Sequence, residues 1–392
     1  MSIKSFKNIK KIKGRKIFLR LDLNVPLAKG KIKDDYRIRA SLETIEFLSA
    51  AGARLIIASH LGDPAGRRLK ALSLGPVALR LKSLLGRPVK FVSEAIGPRT
   101  RRAVNNLQDG QTILLENLRF YRGEYDNDPS FAAELAALAD LYINDAFAVS
   151  HRNQASVSAL KKLLPSYAGL LLLKEVAALE KLLKPVKPLI MILGGAKIAT
   201  KAPLISRLYS QSDRILIGGA LANSFFQAEG LKVGRSLVDP DSAPVIKKFL
   251  KNKALRRKII LPLDLVVKKS SGRVALVLPD KIEKQDEILD IGPATIAVFS
   301  LHIKRAKTML WNGPMGKFED RRFKHGTLAV GSLFAARSSG LAYGVAGGGE
   351  TIDALAITGM AEYVDWVSTA GGAMLSYVGG AKMPGLAGLV KK

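Results

Sequence analysis

Two groups of residues in this chain have types and spacings suited to phosphate chemistry, and they differ in kind. In the first half, Asp22 and Asn24 close one short apolar run, Ser59-His60-Leu61-Gly62 closes the next, and Glu116-Asn117-Leu118-Arg119 closes a third. Asn144-Asp145 and His151-Arg152 follow, and Arg37 lies in the segment after the first run. Guanidinium forks match phosphate and carboxylate geometry, so several converging on one place would hold a small polyanion. A single exposed arginine is more often simply solvated. Arg37, Arg119 and Arg152 together with His60 and His151 shift the balance toward an anion site. In the second half the run ends carry glycine instead. Gly194-Gly195-Ala196-Lys197 is followed by Lys201, which places two lysines four residues apart on one expected helical face. Gly218-Gly219 ends another run, and Gly347-Gly348-Gly349-Glu350-Thr351 opens an expected helix. Glycine lets backbone N–H groups approach phosphate closely, and a helix N-terminus adds partial positive charge. One glycine pair is often only a tight turn; three such tips are more specific. Glu350 could meet a phosphate-bound magnesium ion, although a lone glutamate at a helix start is more often a dipole partner. Neither the P-loop pattern nor a well-placed dinucleotide fingerprint is present.

These tips need strands to carry them. Apolar runs recur at 17–23, 55–59, 112–115 and 141–143, then at 189–193, 214–217, 259–267, 274–278, 308–311, 341–346 and 366–368. Each is followed by a helix-like stretch, the pattern of βαβ units and parallel sheets. Continuous apolarity suits strands covered by helices on both faces. Ligands in such sheets sit beyond the carboxyl ends of the strands, which is where the chemistry-bearing residues fall. Between the halves, 168–184 is apolar at helical spacing through Leu172, Val176, Leu179 and Leu183, and Pro185 and Pro188 close it. The spacing predicts one helix joining two α/β domains. The expected organisation is a first domain at 1–167, the helix at 168–184, a second domain at 185–376, and a tail at 377–392 that leaves the second domain.

Composition bounds what such a chain can do. Its 392 residues are 48% hydrophobic and 24% charged, enough apolar content for two folded domains. The absence of cysteine excludes disulfides, thiolate metal sites and a cysteine nucleophile, and four histidines make a histidine-built metal centre improbable. A net charge of +29 attracts polyanions: nucleic acid, an anionic membrane or small phosphorylated substrates. No apolar run approaches the roughly 18 residues of a membrane span. The lysine-rich start, up to Arg20, lacks the apolar core of a signal peptide. A soluble intracellular protein is expected, with a small polyanion in one domain, a nucleotide in the other and phosphoryl transfer between them.

The motifs resemble those of the phosphoglycerate kinase family nearly end to end. Arg20-Leu21-Asp22-Leu23-Asn24-Val25-Pro26, Ser59-His60-Leu61-Gly62, Leu115-Glu116-Asn117-Leu118-Arg119-Phe120, Asn144-Asp145-Ala146-Phe147 and His151-Arg152 resemble its substrate-domain motifs. Gly194-Gly195-Ala196-Lys197, Leu261-Pro262-Leu263-Asp264, Asp290-Ile291-Gly292-Pro293, Trp311-Asn312-Gly313-Pro314-Met315-Gly316 and Phe318-Glu319 resemble those of its nucleotide domain. The resemblance implies two Rossmann-like, three-layer α/β domains with parallel sheets, joined by a helix and facing each other across a cleft, with the tail returning to the first. It implies interconversion of 1,3-bisphosphoglycerate and ADP with 3-phosphoglycerate and ATP, using Mg2+ and hinge closure. Carried over by motif, Asp22, Leu23, Asn24, Arg37, His60, Leu61, Gly62, Asp63, Arg119, His151 and Arg152 would bind the phosphoglycerate. Gly195, Lys197, Lys201, Gly219, Asn312, Pro314, Glu319, Gly348, Gly349, Glu350 and Thr351 would bind nucleotide, with Glu350 on the metal. Arg37, Lys197 and Lys201 would be catalytic, neutralising charge on the transferring group. A cytoplasmic monomer is implied as well.

Two departures from the family pattern stand out. Glu350 occupies a position usually held by aspartate, and Asp63 one usually held by arginine; an Asp63 pairing with Arg67 or Arg68 is expected to offset its charge. They motivate one rival, a nucleotide-binding pseudo-enzyme that retains Arg37, Lys197, Lys201 and Glu319. A second rival, nucleic-acid binding, has the charge in its favour. Against it stand 6% aromatic residues and the lack of any nucleic-acid-binding motif, so only salt-sensitive, non-specific association is expected.

Overall fold

The computed structural model describes residues 3–390. Its contacts divide the chain into two units. One runs up to Ala177 and takes in the residues from Lys382 on; the other is Ala178–Ala381.

The first unit contains strands β1 (Lys16–Leu21), β2 (Leu27–Ala28), β3 (Lys31–Ile32), β4 (Arg54–Ala58), β5 (Val89–Val92), β6 (Thr112–Leu115), β7 (Leu141–Asp145) and β8 (Ser166–Ala168). Six of them form a parallel sheet in the order β5-β6-β4-β1-β7-β8, while β2 and β3 pair as an antiparallel hairpin. Successive side chains of a strand point to opposite faces, and here both faces are buried. Ile17, Leu19 and Leu21 of β1 enter one apolar cluster with Leu55 and Ile57 of β4. Phe18, Ile56 and Ala58 enter the other. Each such side chain, fully buried, contributes about 1.5–3 kcal/mol, which explains why the runs are largely apolar, with Arg20 the exception inside β1. The edge strand β5, interrupted by the exposed Lys90, the short β8 and the hairpin carry too little pattern to stand out in the sequence.

The second unit contains β9 (Leu189–Leu193), β10 (Arg214–Ile217), β11 (Ile259–Ile260), β12 (Leu265–Lys268), β13 (Val274–Val277), β14 (Glu287–Ile291), β15 (Thr308–Asn312), β16 (Tyr343–Gly347) and β17 (Trp366–Ser368). Its parallel sheet has the order β11-β10-β9-β15-β16-β17. The expected run 259–267 is not one strand. Pro262, which cannot donate to a ladder, follows β11, and the chain resumes as β12 in a separate antiparallel sheet ordered β13-β12-β14.

The helix expected over 168–184 spans Leu170–Leu183. The division between the units falls inside it, between Ala177 and Ala178, and not near Pro185. The tail is tied to the first unit by Gly385 N–H donating to Ser150 O at 2.8 Å and Asn144 Nδ2 donating to Gly385 O at 3.1 Å. Among the described residues no helix is long and apolar enough to cross a membrane.

Winding reverses between β1 and β7 in the first sheet and between β9 and β15 in the second. Such reversal points open crevices at the carboxyl ends of their strands, and both groups of chemistry-bearing residues lie there.

Candidate functional site

In the first unit, Asp22 and Asn24 follow β1 directly. Arg37, in the first turn of the helix Tyr36–Ala50, donates from Nη1 to Asp22 Oδ2 at 2.8 Å and to Asn24 O at 3.3 Å. Asn24 Oδ1 accepts from Gly62 N–H at 2.8 Å, and Gly62 O accepts from Arg119 Nη1 at 2.7 Å. Three strand tips are thus tied together by one chain of hydrogen bonds. His60 is buried at their centre, its Nδ1 3.4 Å from Arg20 Nη2 and 4.0 Å from Asp22 Oδ1. Burial, then the charges of Arg20, Arg119, Arg37 and Arg152, hold its imidazole well below the usual histidine range.

Arg119 has the clearest unmet demand. It is buried, yet Nε and Nη2 have no hydrogen-bond partner. Burial, then the charges of Arg152 and Arg20, push its guanidinium pKa down. An uncompensated buried cation with unmade hydrogen bonds is costly, and an entering oxyanion would satisfy both N–H groups. His151 Nδ1 is likewise buried without a partner, while Arg152 is exposed. Leu23 and Leu61 give their side chains to the core. Their N–H groups donate to Ser59 Oγ at 2.9 Å and Asn117 Oδ1 at 3.2 Å.

The expected pairing of Asp63 with Arg67 or Arg68 is absent among the described residues. Asp63 instead accepts from the Tyr125 hydroxyl, and Arg68 donates to Ser93 O. Tyr125 in turn lies under the Arg119 guanidinium, 5.8 Å from ring centroid to Cζ. The charge on Asp63 acts on Arg119, favouring its cationic form.

In the second unit the reversal of winding brings the tips of β9 and β15 side by side. Gly194 N–H donates to Asn312 O and Gly195 N–H to Pro314 O, both at 2.9 Å. No side chain fits here: a Cβ on Gly194 would lie 2.0 Å from Pro314 O, and Gly219, at φ +61°, would place one 2.6 Å from the same oxygen. Gly218 and Gly348 cap the helices Gly219–Ala228 and Gly349–Thr358. Asn312 Nδ2 donates to Gly347 O at 2.6 Å, and Thr351 Oγ1 accepts from Gly313 N–H at 2.8 Å. These two bonds fix the tip of β15 against the second of those helix starts.

A cavity of about 450 Å³ opens beside these turns. Of the expected residues, Gly195, Gly219, Pro314, Glu319 and Glu350 line it. Lys201 is buried next to Glu350; burial pushes its ammonium pKa down and the Glu350 charge pushes it back up. Lys197 is exposed and outside the lining. The two lysines do not share a helical face: 197–201 is an irregular turn, and Lys201 is the N-cap of the helix Ala202–Leu208. The antiparallel sheet adds a wall that is not among the expected site residues, Leu265 and 287–291. Asp290 in that wall accepts from Gly326 N–H at 2.8 Å and Ile291 N–H at 2.9 Å, and burial pushes its carboxyl up to about 7. Asp290-Ile291-Gly292-Pro293 was the available signal. Arg20, buried beside His60, was legible only as a motif neighbour of Asp22.

The phosphoglycerate kinase family model matches residues 6–381. A phosphoglycerate kinase of Thermomicrobium roseum is 42% identical over 97% of this chain and 98% of its own length. One from Desulforudis audaxviator is 43% identical over 96% of each chain. Among solved structures, the phosphoglycerate kinase of Coxiella burnetii superposes with a TM-score of 0.85 at 34% identity, covering 98% of both chains. That of Pyrococcus horikoshii gives 0.87 at 30% identity, covering 99% of this chain and 98% of its own. Two parallel sheets with chemistry at their reversal points, a family match across nearly the whole length and full-length relatives agree: the chain belongs to the phosphoglycerate kinase family.

Proposed function

We propose that the arginine–histidine cluster of the first unit binds the phosphoglycerate and the glycine-walled cavity of the second binds the adenine nucleotide. The reaction is the reversible transfer of a phosphoryl group between 1,3-bisphosphoglycerate and ADP, giving 3-phosphoglycerate and ATP. The observation that carries the substrate assignment is Arg119, a buried guanidinium with two N–H groups unmet. Charge-assisted hydrogen bonds to an oxyanion are worth about 1.5–3 kcal/mol each. Arg37, braced by Asp22 and the carbonyl of Asn24, presents a fixed fork at the same place.

In the second unit two helices start beside the cavity, whose wall includes Gly219 and Glu350 from their first turns, and helix N-termini favour phosphate. Among the described residues no cluster of three or more histidine, cysteine, aspartate or glutamate side chains could cage a metal. That fits magnesium, which is commonly held by one or two carboxylates, substrate phosphates and water. Glu350, in the cavity wall, would be the carboxylate. Bound there, the ion would neutralise charge on the nucleotide phosphates. Lys201, beside Glu350, keeps a second positive charge at the site, and Lys197 supplies an exposed one at the loop tip. Phosphoryl transfer requires positioning and charge neutralisation more than covalent chemistry, and Arg37 with Lys197 would serve the transferring group. Direct transfer would require the substrates of the two units to meet, which the hinge closure expected for the family would accomplish. The enzyme would act as a cytoplasmic monomer. Nothing in the relatives favours nucleotide binding without transfer.

Calorimetric titration tests the division of labour. Arg119→Met should weaken 3-phosphoglycerate binding and spare Mg-ADP; Glu350→Gln should do the reverse. If both variants weakened the same ligand, the assignment of one substrate to each unit would be wrong.

A further inference from the structure

Arg20 is fully buried, and its guanidinium is engaged on every side. Nε donates to Ser156 Oγ at 2.9 Å, and Nη1 donates to Leu21 O. Ser156 passes the interaction on: Oγ donates to Glu124 Oε1 at 2.6 Å, and its N–H donates to Glu124 Oε2 at 2.9 Å. Glu124 is itself fully buried, and the Arg20 charge favours its ionised form against the effect of burial. Tyr142 closes the assembly by donating to Ser156 O at 2.8 Å. This polar network leaves Arg20 no freedom to turn, and it aims Nη2 at His60 Nδ1, 3.4 Å away.

A guanidinium has five N–H donors and no acceptor, and it does not deprotonate in proteins. Nδ1 of His60 must therefore be the acceptor, with its lone pair toward Arg20. The ring's single proton then sits on Nε2, which has no hydrogen-bond partner among the described residues. Among the described residues, the one carboxylate within 4.0 Å of a ring nitrogen, Asp22, is 4.0 Å from Nδ1 and is already bonded to Arg37. The other charged groups acting on the ring are Arg37, Arg119 and Arg152, all cations. We infer that Arg20 is a positioning residue, held by Ser156 and Glu124, that fixes His60 as its neutral Nε2–H tautomer. His60 then serves the phosphoglycerate as an uncharged hydrogen-bond donor. The consequence for substrate binding rests on the assignment of this cluster to the phosphoglycerate; the tautomer does not.

Long-range 15N–1H NMR of histidine-labelled protein tests this directly, with His60→Gln used only to assign the His60 resonances. The expected result is an unprotonated Nδ1 and a protonated Nε2, unchanged from pH 6 to pH 8. A protonated Nδ1, or a His60 that titrates within that range, would overturn the inference. In Arg20→Met/Glu124→Gln, which removes both charges of the buried pair, burial and the remaining arginines still disfavour the charged ring, but Nδ1 loses its fixed donor, so the same spectrum should show Nδ1–H populated. A folded variant that keeps the Nε2–H tautomer alone would also overturn the inference. Should the variant not fold, the wild-type spectrum decides alone. Protein without turnover that still shows the Nε2–H tautomer would count against the functional assignment and leave the role of Arg20 intact.

Discussion

The Glu350 carboxylate and the Lys201 ammonium both stand over Gly195: a Cβ added there would lie 3.5 Å from Glu350 Oε2 and 3.7 Å from Lys201 Nζ. Both distances are ordinary van der Waals contact, so space alone does not forbid alanine. The backbone does, because Gly195 has φ +72°. Left-handed conformation costs an L-residue about 1–2 kcal/mol. Gly195→Ala should therefore lower Tm and raise the KM for ATP, since relaxing the strain pulls the loop off Pro314 and disturbs the cavity wall that both residues form. A variant with unchanged Tm and KM would show that neither the conformation nor the Glu350–Lys201 spacing matters.

Glu350 is the one expected metal ligand. Removing its charge in Glu350→Gln should raise the magnesium concentration for half-maximal activity by roughly tenfold, the effect of losing about 1.5 kcal/mol of charge-assisted contact. Glu350→Asp should keep most of the activity. A magnesium titration of the three proteins distinguishes them; identical curves would remove Glu350 from the metal.

Arg119→Met separates binding from stability. The variant loses a bond to Gly62 O but also removes a buried cation with two unmet donors. Its Tm should change little, while the KM for 3-phosphoglycerate should rise about 10- to 100-fold. A large loss of stability with unaltered KM would make Arg119 a structural residue.

Asp290 gives the second unit a pH-dependent stability. Burial pushes its carboxyl up to about 7, against an ordinary value of 3.8. Between those pH values the folded protein keeps a proton that the unfolded chain has released, so stability falls as pH rises. The contribution is complete below about pH 4 and gone above about pH 7. Asp145, pushed up to about 6 by burial, adds the same sign in the first unit. Urea denaturation at intervals from pH 4 to pH 8 should show a shallower decline in Asp290→Asn than in the wild type. Parallel curves would contradict the shift.

Lys161 ties down the tail by donating to the carbonyls of Pro384 and Ala387. Lys161→Met removes both bonds, each worth about 1 kcal/mol. Amide hydrogen exchange at Gly385 and Leu389 should accelerate by about tenfold or more while β1 stays protected. Unchanged exchange would mean that Asn144 and Ser150 suffice.

Much of this is legible in the sequence for a physical reason: strands buried on both faces need largely apolar runs, and their polar tips then stand out. Asp22, His60, Arg119, Gly195 and Glu350 stand out in the sequence that way. What escaped depends on contacts distant in sequence. Nothing local links Asp63 to Tyr125, which the fold brings together, so the nearer Arg67 and Arg68 were the natural partners to expect. The four-residue spacing of Lys197 and Lys201 suggested a helix. Instead Asp239 Oδ2 accepts from Ile198 N–H at 3.0 Å, and Pro203 sits in the first turn, so the helix begins only at Ala202. The run 259–267 is apolar apart from Asp264, yet Pro262 divides it between two sheets. Arg20 sat inside a recognised motif, but its partners Ser156 and Glu124 are more than a hundred residues away.

Phosphoryl transfer between the two sites is tested most directly by steady-state turnover of purified protein with 3-phosphoglycerate and Mg-ATP, measured as ADP formed. Robust turnover that requires both substrates is expected, with loss of most activity in Arg37→Met and in Lys201→Met. Binding of both ligands without ADP formation, or turnover untouched by either substitution, would contradict it.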